Sequence, residues 1–438
     1  MKRSMRIALL ATALCAVMGV WAAAFARAEA EKTNMSAAVD AGIGLHETNA
    51  TAVAVDKNTA VAASTATGTA AFEKSELFSD RDLLQEVDLA DAVTYEVADG
   101  QDIEITKAGV YVLTGAAGDV TVTVAADKKD KVQLVLEGLT LTNGSEPAIY
   151  VKSADKVFVT TAADSSLAVT GTFAADGDTN TDGVIFSKSD LVLNGTASLA
   201  ITSTNNGVVS KDDLKVTGGT YTITAAAKAL EANDSIRVAD GELTLTAGTD
   251  GLHAENDDDD TKGYIYIGGG SLTIRAGDDG LHATTVVQVD DGALAIAASE
   301  GIEATYVQLN GGSISIDGQD DGINAAQKSS GYRATVEING GDITVAMAAG
   351  DTDGIDSNGD IIVNGGTIAV TGNSTFDYDG TGTLNGGTVI VNGQQVTTLP
   401  NQMFGGRGGF GGGFGNWGGS GGFGGRGGFG GFGGRGWG

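Results

Sequence analysis

The 438 residues contain one cysteine, Cys15, and two prolines, Pro147 and Pro400. Cys15 lies inside an N-terminal apolar run that reads as an export signal. The mature chain then has no disulfide and no thiolate metal site. Scarce proline beside 68 glycines speaks for many tight turns between hydrogen-bonded strands, and against a proline-rich linker. Basic residues are few. Lys and Arg number 26 against 56 Asp and Glu, a formal net charge of −30. Such a chain repels phosphates, which excludes nucleic acid as a partner and favours cations, or anionic ligands bridged by cations. Tryptophan is confined to Trp21, Trp417 and Trp437, so no flat aromatic platform for crystalline cellulose is visible. Only His46, His253 and His282 are present and no G-x-S-x-G elbow occurs, so a Ser-His-Asp hydrolase has little support.

What is present begins with that signal. Lys2, Arg3 and Arg6 precede an apolar run from Ile7 to Phe25, and Ala26-Arg27-Ala28 or Ala28-Glu29-Ala30 offers a cleavage site. The alternative is an uncleaved anchor, though the run is near the lower length limit for spanning. Leu14 before Cys15 argues against lipidation. Cleavage after Ala28 leaves a mature chain of about −34 with no membrane span. The expected organisation is a signal peptide over 1–28, an Ala/Thr-rich disordered spacer over 29–75, a repeat domain over 76–400 and a Gly/Phe/Arg-rich disordered tail over 401–438. The product is expected to be secreted, or held at the cell surface. The tail suits self-association or surface contact better than RNA binding.

A repeat governs the middle of the chain. Gly183, Gly207, Ala229, Gly251, Gly280, Gly301, Gly322 and Gly354 recur mostly at about 21–24 residues, with insertions around Asp257–Gly263 and Lys328–Arg333. A second marker keeps step at Gly218-Gly219, Gly269-Gly270, Gly311-Gly312, Gly340-Gly341, Gly365-Gly366 and Gly386-Gly387. Alternating runs such as "SLTIRA", "SISIDG" and "TIAVTG" follow it. A unit this short, made of strands and turns, cannot bury a core alone, whereas stacked units can. The fold class predicted is all-β, a right-handed parallel β-helix. Val184, Val208, Leu230, Leu252, Leu281, Ile302, Ile323 and Ile355 are expected to point inward. Their neighbours Glu231, His253, His282, Glu303, Asn324 and Asp356 should then face outward. Of these, His253, His282, Glu303, Asn324 and Asp356 are candidate ligand-binding residues. The two histidines, one coil apart, read as an exposed polar ladder or a transition-metal pair.

The residue before each marker is Asp182, Asn206, Lys228, Asp250, Asp279, Glu300, Asp321 or Asp353, and Asp278 and Asp320 add a second acid. Carboxylates stacked about 5 Å apart repel by roughly 3 kcal/mol at an effective dielectric near 20. Asp-Gly is also a good turn pair by itself. The number of acids in one register nevertheless points to hard cations, with calcium suiting flexible multi-carboxylate sites. Candidate metal ligands are Asp250, Asp278, Asp279, Glu300, Asp320, Asp321 and Asp353. A loop-type set at Asp178, Asn180 and Asp182 matches half of an EF-hand loop, with Ser189 where the terminal Glu would stand. Asp257–Asp260 reads as a solvated insertion tip.

The stretches "FSDRDL", "DGLHAENDDDD", "AGDDGLHA", "EGIEATYVQLNGGSISI", "DDGINAA" and "GDTDGIDSNGDIIVNGGTIAVTG" resemble a bacterial family of secreted carbohydrate-binding domain proteins. The resemblance covers about residues 75–400. It implies a calcium-containing right-handed parallel β-helix like that of calcium-dependent pectate lyases. It also implies binding of cellulosic and acidic pectic polysaccharide without catalysis, with Asp250, Asp278, Asp279, Asp320, Asp321 and Asp353 as calcium ligands. Lys228 departs from the pattern at its coil. Two other functions remain in view. One is a calcium-stabilised adhesin or structural protein. The other is a calcium-dependent polysaccharide lyase, with Lys228 as its base.

Overall fold

The computed structural model describes residues 72–350 and 352–402. The signal, most of the spacer and the glycine-rich tail lie outside the described residues. What is described is almost wholly β, with one helical turn at Lys74–Leu77. Strands join into a 22-stranded and a 12-stranded sheet. Pairing is parallel throughout, except for a terminal hairpin joining Thr388–Val391 to Gln394–Val396 and an isolated bridge between Asp176 and Thr179.

Each coil passes through three short faces. Strand Leu252–Ala254 lies in the smaller sheet. The chain then enters strand Tyr264–Ala276, which bends at its glycines to supply two faces of the larger sheet. It returns to the smaller sheet at Asp279–Ala283, where Leu252 pairs with Leu281 and His253 with His282. Each strand thus pairs with its counterpart one repeat away. No unit of this size could satisfy its backbone alone, and stacking supplies every coil with its ladder.

The interior is aliphatic. Leu230, Leu252, Leu281, Ile302, Ile323 and Ile355 form one fully buried file. The file continues upstream through Ile185 rather than Val184, because Gly183 pairs with Asn206 and Ile185 with Val208. Val184, Ile185 and Phe186 are all buried, so a continuous apolar run concealed the phase of the alternation.

The marker glycines are required by packing. A Cβ on Gly280 would stand 2.4 Å from Ile296 Cγ2 and 2.5 Å from the Gly301 carbonyl oxygen. The second marker is required by conformation, as at Gly270 with φ +88°. Gly280→Ala is therefore expected to lower the unfolding free energy by about 2–3 kcal/mol, measured by urea denaturation. A loss below about 0.5 kcal/mol would show that the coils do not pack this closely.

A strap from Phe72 to Gln85 lies on the outer face of the larger sheet. Phe72 stacks on Tyr264 at 4.2 Å between ring centroids, and Arg81 lies 4.6 Å from the centre of the Phe158 ring. Asn194 Nδ2 donates to the Leu84 carbonyl (2.8 Å), and Gly195 N donates to Gln85 Oε1 (2.9 Å). Tyr264 and Tyr266 are buried here. Outside that strap, an amide ladder runs along the same sheet: Asn385 donates to Asn364, Asn364 to Asn339 and Asn339 to Asn310, each at 2.8 Å.

Candidate functional site

The outward positions of the smaller sheet form one continuous column. In register it reads Tyr150, Phe186, Val209, Glu231, His253, His282, Glu303, Asn324, Asp356 and Asp377. The five candidate ligand-binding residues therefore stand together in one file. Beside it runs the file of residues preceding the marker glycines: Asp279 pairs with Glu300, and Asp321 with Asp353. The two files stand three residues apart, so side-chain contact rather than strand alternation joins them: His253 meets Asp250 and His282 meets Asp279.

In the middle of the column, acids meet bases. His253 Nδ1 lies 2.8 Å from Asp250 Oδ2, and its Nε2 lies 3.1 Å from Glu255 Oε2. His282 Nδ1 is bound by Asp279 and lies 3.1 Å from Glu303 Oε2, which also meets Lys328 Nζ at 2.9 Å. The imidazoles stack with centroids 4.6 Å apart. They are not the exposed ladder that alternation suggested, since His253 is 7% exposed. Neighbouring acids fold over them. Burial works against the His282 imidazolium, but Asp279 and Glu303 outweigh it and push the pKa up to about 9. Asp279, His282 and Glu303 bring ligand atoms within 4.8 Å of one another, the geometry of a metal triad or of an imidazolium clamped by two carboxylates. Upstream, Glu231 is met by Lys211 at 2.9 Å and Lys228 at 3.6 Å, so Lys228 acts as a countercharge.

Further along, the acids have no bases. Among the described residues no lysine, arginine or histidine forms an ion pair with Asp321, Asp353, Asp356 or Asp377. Lys328 and Arg333 pair with other acids, Glu303 and Asp360. Burial, with Glu303 beside it, pushes Glu300 up to about 7. Burial, then Asp320 and Asp353, pushes Asp321 up to about 6. Burial, then Asp321, Asp353 and Asp377, pushes Asp356 up to about 7. Asn324 donates to Glu300 Oε2 from Nδ2 (3.1 Å), which leaves its Oδ1 buried without a donor. Asp377 Oδ1 is likewise buried and without a donor.

This half of the column is a concentration of oxygen acceptors short of positive charge, and it suits a hard divalent cation. The His-bearing half is already neutralised and suits calcium less well. Asp278 and Asp320 are exposed at the turns. In the upstream loop Asp178 is exposed, while Asn180 Nδ2 donates to Asp182 Oδ2 at 2.7 Å. Asp182 Oδ1 is a further buried acceptor without a donor.

Three features were missed in the sequence. Asp377 extends the outward column, but Thr375 stands where the marker glycine would, so its phrase "STFDYD" escaped notice. Tyr150 precedes the first marker, Gly183, and Phe186 and Val209 are apolar at outward positions where a polar residue would mark the phase. A file of lysines beside them is signalled by "VKSAD", "FSKSD" and "VSKDD".

Stacked parallel coils carrying an ionisable file on one face define an elongated binding scaffold. The chain belongs to the carbohydrate-binding domain-containing protein family, whose profile matches residues 99–369. A curated relative of that description from Acetivibrio thermocellus is 32% identical over 130 residues, covering 28% of this chain and 46% of the relative. The chain thus spans about half the length of the curated relative it matches. A solved structure is described as the polysaccharide lyase-like protein from C. thermocellum, a gadolinium derivative. It is 28% identical and covers 52% of this chain and 94% of its own, with a TM-score of 0.44. A superposition that loose leaves the fold to be read from the strand register.

Proposed function

We propose that the chain is a secreted, non-catalytic carbohydrate-binding protein for plant-type polysaccharide, acidic pectic or cellulosic, with calcium held on the C-terminal half of the acidic column. Family membership supports carbohydrate as the ligand class. The observation that carries the calcium reading is the base-free run of Glu300, Asp321, Asp353, Asp356 and Asp377, with buried acceptor oxygens at Asn324 and Asp377. The coil is taken as right-handed, as nearly all crossovers between parallel strands are. Bound there, calcium would offset the carboxylate charge and leave coordination positions for uronate oxygens. The column's own residues supply the rest. Asn324 and Asp356 present acceptors in register, and His282 and Lys328 close the file with fixed positive charge. Secretion is supported by the N-terminal signal pattern.

Co-sedimentation with insoluble polygalacturonate and with cellulose, in calcium and in excess chelator, tests the reading. Circular dichroism establishes that the chelated protein stays folded. Binding to polygalacturonate that requires calcium is the expected result. Binding to neither polymer in either condition would overturn the proposal. A rise in absorbance from unsaturated uronate would mark a lyase instead.

A further inference from the structure

The acidic column has a counterpart of opposite sign on the same sheet. Strands Ile149–Ser153, Gly183–Ser187 and Asn206–Ser210 stack in consecutive coils, with Val151 opposite Ser187 and Ser187 opposite Ser210. The next residue in each coil is therefore Lys152, Lys188 or Lys211. Two backbone bonds fix the stack: Lys188 N donates to the Val151 carbonyl (2.9 Å), and Lys211 N to the Ser187 carbonyl (2.8 Å). Three lysine backbone positions thus repeat at the strand spacing of about 4.8 Å. Like charges stacked in register destabilise a sheet. In a chain with only 26 basic residues, concentrating three of them in one file calls for a reason.

The lysines stand over an aromatic floor beside two clefts. Lys152 Nζ lies 4.9 Å and Lys188 Nζ 5.9 Å from the centre of the Tyr150 ring, and Lys211 Nζ lies 5.8 Å from that of Phe186. Tyr150 packs edge-on to Phe186 and donates from its hydroxyl to Asp176 Oδ2 (3.0 Å). A cleft of about 230 Å³ opens there, its walls including Asp102, Thr121, Thr123, Glu146, Tyr150 and Lys152. A second, of about 390 Å³, is lined by Lys128, Lys152 and Lys188 together with Asp155 and Asp212. Lys152 borders both. Its partner Asp176 is an exposed loop acid (3.1 Å), and Lys188 Nζ donates to the Thr179 hydroxyl (2.7 Å) on the same loop. Both contacts are ones that a ligand carboxylate can replace. Lys211 is more firmly held, by Glu231 at 2.9 Å.

We infer that the Lys152–Lys188–Lys211 file and its flanking clefts are a calcium-independent binding site for an anionic polysaccharide, a polyuronate lying along the stacking axis. This inference rests on the carbohydrate-binding reading and adds to it a second subsite of different chemistry. Carboxylates on an extended polyuronate recur at about the length of one sugar, which is close to the coil spacing. Each lysine meets one carboxylate as a point charge, while Thr123 and Glu146 offer hydroxyl and carboxylate partners to sugar hydroxyls. The acidic column binds the same polymer only through calcium, and the lysine file binds it without.

The test is calorimetric titration of a soluble oligogalacturonate, and separately of a neutral cello-oligosaccharide, into the full chain. Each titration is made in calcium and in chelator at low salt. Wild type is compared with Lys152→Glu/Lys188→Glu, with the charge-neutral Lys152→Gln/Lys188→Gln, and with Arg275→Glu, a control at an exposed arginine on the larger sheet. The expected result is oligogalacturonate binding in chelator that weakens at least tenfold in both double variants, falls with added salt and is unchanged in Arg275→Glu. Circular dichroism shows whether the variants are folded, and the glutamine pair keeps the test valid should charge reversal disturb the fold. Absence of oligogalacturonate binding to wild type in chelator, or equal binding by the double variants, overturns the lysine subsite alone if either sugar binds in calcium. Absence of binding to both sugars in every condition overturns the carbohydrate reading as well.

Discussion

Replacing Asp82 by alanine is expected to cost about 3–5 kcal/mol of stability, the scale for removing one partner of a buried ion pair. Asp82, within the strap, is fully buried. Its carboxylate takes Lys156 Nζ and Lys215 Nζ, each at 3.0 Å, and the Ser79 backbone N–H at 3.1 Å. Its own carbonyl accepts from the Thr217 hydroxyl. Alanine would leave Lys215 without its carboxylate and Lys156 with only Asp190, at 3.7 Å, in a largely buried site. The strap contacts at Phe72, Arg81 and Gln85 would then hold a segment whose central anchor is gone. Burial raises the Asp82 pKa, but the Ser79 backbone, Lys215 and Lys156 outweigh it and hold the carboxyl down at about 2. A carboxyl depressed in the folded state stabilises above its unfolded pKa of about 4, and that stability is lost as pH falls towards about 2. The contribution is about 2 kcal/mol. Asp82→Asn should remove this part of the acid dependence while keeping the side-chain shape. Urea denaturation at pH 7 and between pH 4 and pH 2 measures both effects. Unchanged stability in Asp82→Ala would show that the strap does not depend on this anchor.

The second large effect has the opposite sign. Asp321→Asn combined with Asp356→Asn is expected to stabilise the calcium-free protein by about 2 kcal/mol, after allowance for solvent screening at these half-buried positions. Both carboxyls are pushed up by burial and by neighbouring acids, so their ionisation at neutral pH opposes folding. The amides keep the size and remove the charge. Under the calcium proposal the wild type is expected to gain Tm with calcium, and the same substitutions should abolish that gain, because they remove two hard anionic donors from the base-free run. A thermal scan with calcium and with chelator reads both changes. Destabilisation of the calcium-free double variant would mean that the acids stabilise the fold through contacts rather than straining it.

Most of the architecture was legible in the sequence because the repeat imposes it. The spacing of Gly251, Gly280, Gly301 and Gly322 and the apolar residue after each gave the stacking register and the inward file, as the pairing of Leu252, Leu281, Ile302 and Ile323 shows. Alternation then placed His253, His282, Glu303, Asn324 and Asp356 on one face. What alternation could not show is which outward residues neutralise one another. That depends on rotamers and on insertions. Lys328, carried on an insertion far from Glu303's own strand, closes the His282 cluster. The register at Gly183 was misread because Val184, Ile185 and Phe186 carry no polar residue to mark the phase. The strap was invisible as structure because "FSDRDL" has neither strand nor helix periodicity. Its anchors Lys156 and Lys215 come from strands 74 and 133 residues away.

Calcium titration by calorimetry into the chelator-stripped full chain, followed by titration of oligogalacturonate into the calcium-loaded protein, tests the central claim most directly. The wild type is expected to bind calcium and then to bind the oligomer more tightly than it does in chelator. Asp321→Asn/Asp356→Asn should bind calcium at least tenfold more weakly and lose the gain in oligomer affinity. Equal calcium binding by the two proteins, or an oligomer affinity indifferent to calcium, would contradict the assignment of the acidic column as a calcium-dependent glycan site.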